Sequence, residues 1–191
     1  MFTPAQLKII NDPHSGPQAR LAVVRAALNP GSFQNPGTMR AGSPVRAMSS
    51  PLRQYSPQVS SITFDTGQPG IDIFFEDKKF PVMMDGKVKD ISSEPGYGNY
   101  VVIESIDEET GTPVDILYSH LATKTPLKKG QSVRVGDLVG TQGGTGNVNS
   151  YDGTIASVDI LTAEEEGSKS MTPHPNFENI RRRLANTLRG N

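Results

Sequence analysis

The chain contains no cysteine and no tryptophan. Without cysteine there is no disulfide, no thiolate nucleophile and no Cys-ligated zinc. Aromatic residues are scarce at 6%, and hydrophobic residues make up 35%. In 191 residues that is material for one sizeable core rather than two. No apolar run approaches the roughly 18 residues that a membrane-spanning helix needs, so no span is expected. The opening residues, MFTPAQLKIIND, lack the basic-then-apolar order of a secretory signal. The expectation is a soluble chain made in a cytoplasm, with another carrier for any role outside the cell.

Glycine and proline are abundant. They number 19 and 15, a share well above the usual combined value of about 12%. Such a composition favours turns and short strands.

The formal charge of −1 conceals an asymmetry. Residues 1–60 hold six basic residues and one acidic, a balance of +5. Residues 61–162 hold eight basic and fifteen acidic residues, a balance of −7. A basic segment beside an acidic body is suited to lie on another copy's body or on an acidic partner. The basic residues of the segment are scattered, with no Lys/Arg cluster, so nucleic acid is not the expected partner.

Three regions follow from the patterning. Residues 1–60 read as an arm. Thr3-Pro4 opens a short helix over 4–11, and Pro17 opens a second that stops at Asn29-Pro30-Gly31. The remainder of the arm has a proline about every seven residues and neither strand nor helix period. It is expected to stay extended and to be ordered only against a partner, because alone it cannot bury enough apolar surface.

Residues 61–162 are expected to be β-rich. Strand patterns occur at 61–64, 71–75, 80–84, 87–91, 99–105, 114–121, 132–136, 138–142 and 156–162, separated by turn pairs such as Asp85-Gly86 and Asp152-Gly153. Short strands with no helix between them predict an antiparallel sandwich or barrel. Residues 163–191 hold an acidic loop and a helix in which Phe177, Ile180, Leu184 and Leu188 share one face. Its arginines read as a solvated face. Asp107, Glu108 and Glu109 read as a solvated turn, not a glycosidase pair.

Several pieces of the middle region form a recognisable series. They are Gln68-Pro69-Gly70-Ile71-Asp72, Pro81-Val82, Asp85-Gly86-Lys87-Val88, Gly96-Tyr97-Gly98-Asn99-Tyr100-Val101-Val102-Ile103, Tyr118-Ser119-His120-Leu121, Gly143-Gly144-Thr145-Gly146 and Ile155-Ala156-Ser157-Val158-Asp159. In order and spacing, over residues 61–162, the series resembles the lysostaphin-type zinc peptidoglycan endopeptidases. The resemblance implies their mainly β fold, an antiparallel β-sandwich or barrel-sandwich hybrid. It also implies a groove that binds wall peptide.

The same resemblance fails at the chemistry. The family holds zinc with a His, an Asp and a second His, and these align with Gln68, Asp72 and Ser157. A further catalytic His aligns with Ile155. Only Asp72 and His120, the latter matching another catalytic His, are retained, and they are expected as a vestigial hydrogen-bonded pair. Gln and Ser are poor zinc ligands and Ile has no titratable atom. No metal, no cofactor and no catalysis are therefore expected. His14 and His174 lie outside the middle region and could complete a site only by refolding around it. A Ser157–His120 hydrolase lacks an oxyanion hole. Gly140–Gly146 lacks the Lys-Ser/Thr of a phosphate loop.

The expected role is an inactive, peptidase-like structural part of a phage tail or baseplate. Its partners would be other virion subunits, including copies of itself, with weak cell-wall contact. An active endopeptidase and a non-cleaving wall-binding module are the alternatives.

Overall fold

The structure is a computed structural model, and it describes residues 51–64, 69–148, 150, 152–164 and 172–190. The two helices expected at the start of the arm lie outside the described residues.

All nine expected strands form. They are β1 (Val59–Thr63), β2 (Gly70–Phe75), β3 (Lys79–Pro81), β4 (Gly86–Glu94), β5 (Gly98–Ile106), β6 (Pro113–Leu121), β7 (Ser132–Val133), β8 (Leu138–Thr141) and β9 (Ala156–Thr162). Seven pair antiparallel in the order β1-β2-β9-β6-β5-β4-β7, and β3 pairs with β8 in a second sheet. The fold is mainly antiparallel β, as the strand spacing predicts. The arrangement follows from side-chain alternation along each strand. Ile71, Ile73 and Phe75 of β2, Val101 and Ile103 of β5, Ile116 and Tyr118 of β6, and Val158 and Ile160 of β9 all enter one buried core. The second sheet closes that core with Phe80 and Val139. The Phe80 and Tyr118 rings meet edge-on at 5.4 Å.

The intervening residues of the same strands face outward. Tyr100, Val102, Leu117 and Leu161 form a separate apolar cluster there, with Tyr97 packed against it. Near it lie the polar positions Asp72, Ser119, Ser157 and Asp159.

The arm's boundary differs from expectation. Pro51–Gln58 form a 3₁₀ helix and Val59–Thr63 pair with β2, so the folded unit takes in the last ten residues of the expected 1–60 arm. The cause is tertiary. Leu52 is buried in the core, the Tyr55 hydroxyl donates to the Gly136 carbonyl at 2.9 Å, and Tyr55 packs edge-on to Phe75. Periodicity alone could not register a segment whose partner surface is supplied by distant residues.

One α-helix, α1 (Phe177–Leu188), ends the described chain. Its predicted stripe is the buried one: Ile180, Leu184 and Leu188 enter the core and Phe177 packs against it. The helix docks in cis against the 3₁₀ helix, β9 and β2. Its arginines are not simply solvated. Arg181 chelates Glu178 and stacks on Phe64 and Phe177, while Arg183 donates to Asp107 at 2.7 Å. Asp107 is correspondingly not a solvated turn residue. It is fully buried at the start of the β5–β6 connection and accepts from Thr110, Asn176 and Arg183. The helix supplies the donors that make its burial tolerable. No helix among the described residues is long and apolar enough to cross a membrane.

Candidate functional site

The outward positions of four strands line up in one row. Thr63 of β1 pairs with Asp72 of β2, Asp72 with Ser157 of β9, and Ser157 with Ser119 of β6. This register brings two of the three degenerate metal-site positions, Asp72 and Ser157, directly opposite each other. Gln68, the third, lies outside the described residues. The Ser119 hydroxyl donates to the Ser157 carbonyl at a long 3.4 Å.

His120 follows Ser119 with a φ of 60°. A left-handed conformation is uncommon for a residue with a Cβ and marks a position fixed by its surroundings. Those surroundings are two backbone carbonyls. The His120 N–H donates to Tyr97 O at 2.9 Å, and Nδ1 lies 2.8 Å from Thr145 O. A carbonyl only accepts, so Nδ1 carries the proton and Nε2 presents the lone pair. Among the described residues no hydrogen bond joins His120 to Asp72, the pair that the resemblance implies. The left-handed turn aims the ring at the Thr145 loop instead, and that carbonyl satisfies it. Nor does any hydrogen bond join His120 to Ser157 among the described residues.

The Thr145 loop is built to approach closely. The Thr145 hydroxyl donates to Leu121 O at 2.8 Å and accepts from the Asn99 N–H at 2.9 Å. A Cβ on Gly98 would collide with the Thr145 backbone, and one on Gly146 would collide with Gly98. The glycine-rich run is therefore a backbone-to-backbone contact that seats His120. Ile155 bridges to Gly143, its N–H donating to Gly143 O at 2.8 Å. It contributes only hydrocarbon where the family resemblance implies a histidine.

Two further groups shape this face. Asp159 lies two residues beyond Ser157 on the same side of β9, and its Oδ1 would be only 2.9 Å from a Cβ on Gly70. Glycine at 70 lets the carboxylate lie over β2. The Tyr97 hydroxyl is pushed up to about 12 by burial, then by the negative charges of Asp159 and Glu94, so it stays protonated. Its ring packs edge-on to Tyr100 at 6.2 Å. Sequence reading passed over both as candidates. The signal for Asp159 was its two-residue spacing from Ser157 on a strand. Tyr97 is placed by the turn before β5 and had no such signal.

The zinc implied by the resemblance needs three protein donors. Asp72 is a single carboxylate flanked in register by Ser157 and Thr63. Among the described residues no group of three or more His, Cys, Asp or Glu is placed to hold a metal. His174 cannot help. It is buried beside Thr112, its Nε2 3.1 Å from the Thr112 hydroxyl. Thr112 precedes β6 and His120 lies near its far end, about 26 Å away at roughly 3.3 Å per residue. His14 lies outside the described residues. Among the described residues the donor set does not fit zinc.

Residues 66–160 match the family model described as Peptidase family M23. Among solved structures, the chain is similar to the antimicrobial peptidase lysostaphin from Staphylococcus simulans, at 20% identity and a TM-score of 0.46, over 68% of this chain and 51% of that one. The chain thus spans about half the length of that protein. The catalytic domain of the same peptidase matches at 19% identity and a TM-score of 0.48, over 66% of this chain and 97% of that one. A zinc-containing peptidase from Vibrio cholerae matches at 26% identity and a TM-score of 0.41, over 61% of this chain and 37% of that one. No curated protein matches the chain.

Proposed function

We propose, from the match of residues 66–160 to the peptidase family M23 model, that this domain serves as a non-cleaving structural module in a larger assembly. The observation that carries the reading is the row Thr63–Asp72–Ser157–Ser119, in which one carboxylate stands among hydroxyls. A peptidase of this type needs a metal-activated water and a base to receive its proton. The row offers no donor set for the first, and Ile155 offers nothing for the second. His120 presents Nε2 away from its Thr145 contact, yet a lone imidazole without a polarised nucleophile does not hydrolyse a peptide.

Retaining a scaffold while dropping its catalytic groups fits a surface that has itself become the function. The charge asymmetry supports assembly as that function. The basic segment at residues 1–50 precedes an acidic β domain and can lie on a neighbouring copy or another subunit. A phage tail or baseplate is the setting we propose, by analogy with wall-hydrolase folds reused as virion parts.

The test compares the full chain with a version lacking residues 1–50. The shortened chain keeps Leu52 and β1, so it should fold, remain soluble and lose association with partner subunits. Incorporation of the shortened chain into particles would overturn the tethering role. Release of soluble fragments from purified peptidoglycan by the full chain would overturn the non-cleaving role. Co-sedimentation with cell walls without release would transfer the function from assembly to wall binding through the same face.

A further inference from the structure

Away from the row that carries Asp72, the outer face of the large sheet holds a buried amine and a buried carboxyl in contact. Lys89 Nζ lies 2.5 Å from Asp115 Oδ2, with the side chains 4% and 1% exposed. The two residues are on β4 and β6, which are not neighbours, because β5 runs between them. Lys89 reaches across because the β4–β5 register is broken between Val88 and Asp90, leaving Lys89 as the extra residue. A bulge of this kind re-aims a side chain. Asp115 stands opposite Glu104 on one side and Leu161 on the other, beside the Val102–Leu117–Leu161 cluster.

From this juxtaposition we infer that Lys89 and Asp115 form an intramolecular isopeptide bond, a covalent strut between β4 and β6. The charge bookkeeping closes without a co-reactant. Within the pair, one Nζ proton passes to Oδ2, leaving a neutral amine beside a neutral acid. The Nζ lone pair attacks Cγ and the N–C bond forms. The Cγ–Oδ2 bond then breaks, and the oxygen leaves as water with the transferred proton and a second proton from Nζ. Nothing is oxidised or reduced. The amide keeps one N–H and the Oδ1 carbonyl.

Four features favour the step. The amine already lies 2.5 Å from one carboxyl oxygen, so the two reacting groups are held in contact and need no diffusional encounter. Burial destabilises the ionised pair, which in water would resist condensation, and the amide removes both buried charges. Burial also pushes the Asp115 carboxyl up, toward the neutral acid, against the opposing pull of Lys89. Finally, the surroundings suit the product. The Glu164 carbonyl accepts from Nζ at 2.6 Å and can hold the one amide N–H that remains. Asp115 Oδ1 is buried with no hydrogen-bond partner, a position that costs a carbonyl less than a carboxylate.

The test is the intact mass of the denatured full chain followed by peptide mapping. The expected mass is lower than that of the sequence by one water, about 18 Da, as for any condensation. Mapping should find the peptides bearing Lys89 and Asp115 joined. Lys89→Met and Asp115→Ala should each restore the missing water and release the two peptides. The unmodified protein decides the matter alone if those variants fail to fold. A mass equal to that of the sequence would overturn the inference. So would a water loss that maps to Asp85-Gly86 or Asp152-Gly153, where an aspartate can cyclise on its own backbone.

Discussion

Asp72 and Ser157 face each other in register across the β2–β9 pair. In the lysostaphin-type pattern these two positions share a metal. Here a carboxylate meets a hydroxyl, and the strand pairing that would bring two ligands together brings one. The scaffold has kept its geometry at the point where the side-chain chemistry departs. The predictions below separate what holds the scaffold from what the altered site can do.

Asp107 is the clasp of the C-terminal helix. Burial pushes its pKa up, but donors from Asn176, Thr110, Arg183 and the Glu109 backbone overcome this and bring it to about 2. A carboxylate with a depressed pKa stabilises the fold at pH values above its unfolded pKa of 3.8. That stabilisation is lost as pH falls through about 2. The shift corresponds to about 2 kcal/mol. Asp107→Ala should cost at least that much, because it strands Asn176 and the half-exposed Arg183. Urea unfolding at neutral pH measures it, and the deficit should shrink toward pH 2 as the wild-type carboxylate takes up its proton.

His174 makes the same junction sensitive at milder pH. Its Nδ1 accepts from the Asn176 N–H at 3.2 Å, so Nε2 holds the proton and donates to Thr112. Burial lowers its pKa, and the facing carboxylate of Asp107 opposes this only in part. Protonation would abolish the Nδ1 acceptor. The stabilisation is complete above pH 6.5 and declines as pH falls below it. The melting temperature should drop between pH 7 and pH 5, and His174→Gln should flatten that dependence.

Gly98 has a φ of 62°, and a Cβ built on it would lie only 2.3 Å from the Thr145 backbone. Gly98→Ala adds a left-handed penalty of roughly 1–2 kcal/mol, and the clash comes on top of it. The variant should be destabilised by more than about 2 kcal/mol. It should also loosen His120, visible as a changed imidazole signal by NMR. A wild-type-like melting curve would contradict the packing described.

Leu52 anchors the 3₁₀ helix in the core at 2% exposure. Leu52→Ala should cost about 2–4 kcal/mol, as large-to-small core changes do. Thermal unfolding of the variant beside the unmodified chain measures the loss.

Much of this was legible in the residues. The strands announced themselves through alternation, as in Ile71-Asp72-Ile73 of β2, or through continuous apolar runs, as in Tyr100-Val101-Val102-Ile103 of β5, and the α1 stripe through its spacing. Other features depended on distant partners. Pro51–Gln58 has no period, and only Gly136, Phe75 and the core beside it give it a conformation. Asp107 looked like one acid among three in a polar turn, because its donors are some 70 residues further along the chain. At the site, the family pattern identified Asp72, Ser157, Ile155 and His120. It could not reveal that a left-handed His120 would turn to Thr145 rather than to Asp72. The Lys89–Asp115 contact was hidden for a similar reason, since a bulge breaks the register from which it could have been read.

The central claim is that the site cannot hold catalytic zinc. It is tested most directly by loading the full chain with zinc, dialysing it and measuring metal content by plasma mass spectrometry. The account predicts zinc near zero per chain, and a substantial gain in the Gln68→His/Ser157→His double variant, which restores three donors with Asp72. Zinc near one per unmodified chain would contradict it and would reopen the peptidase reading.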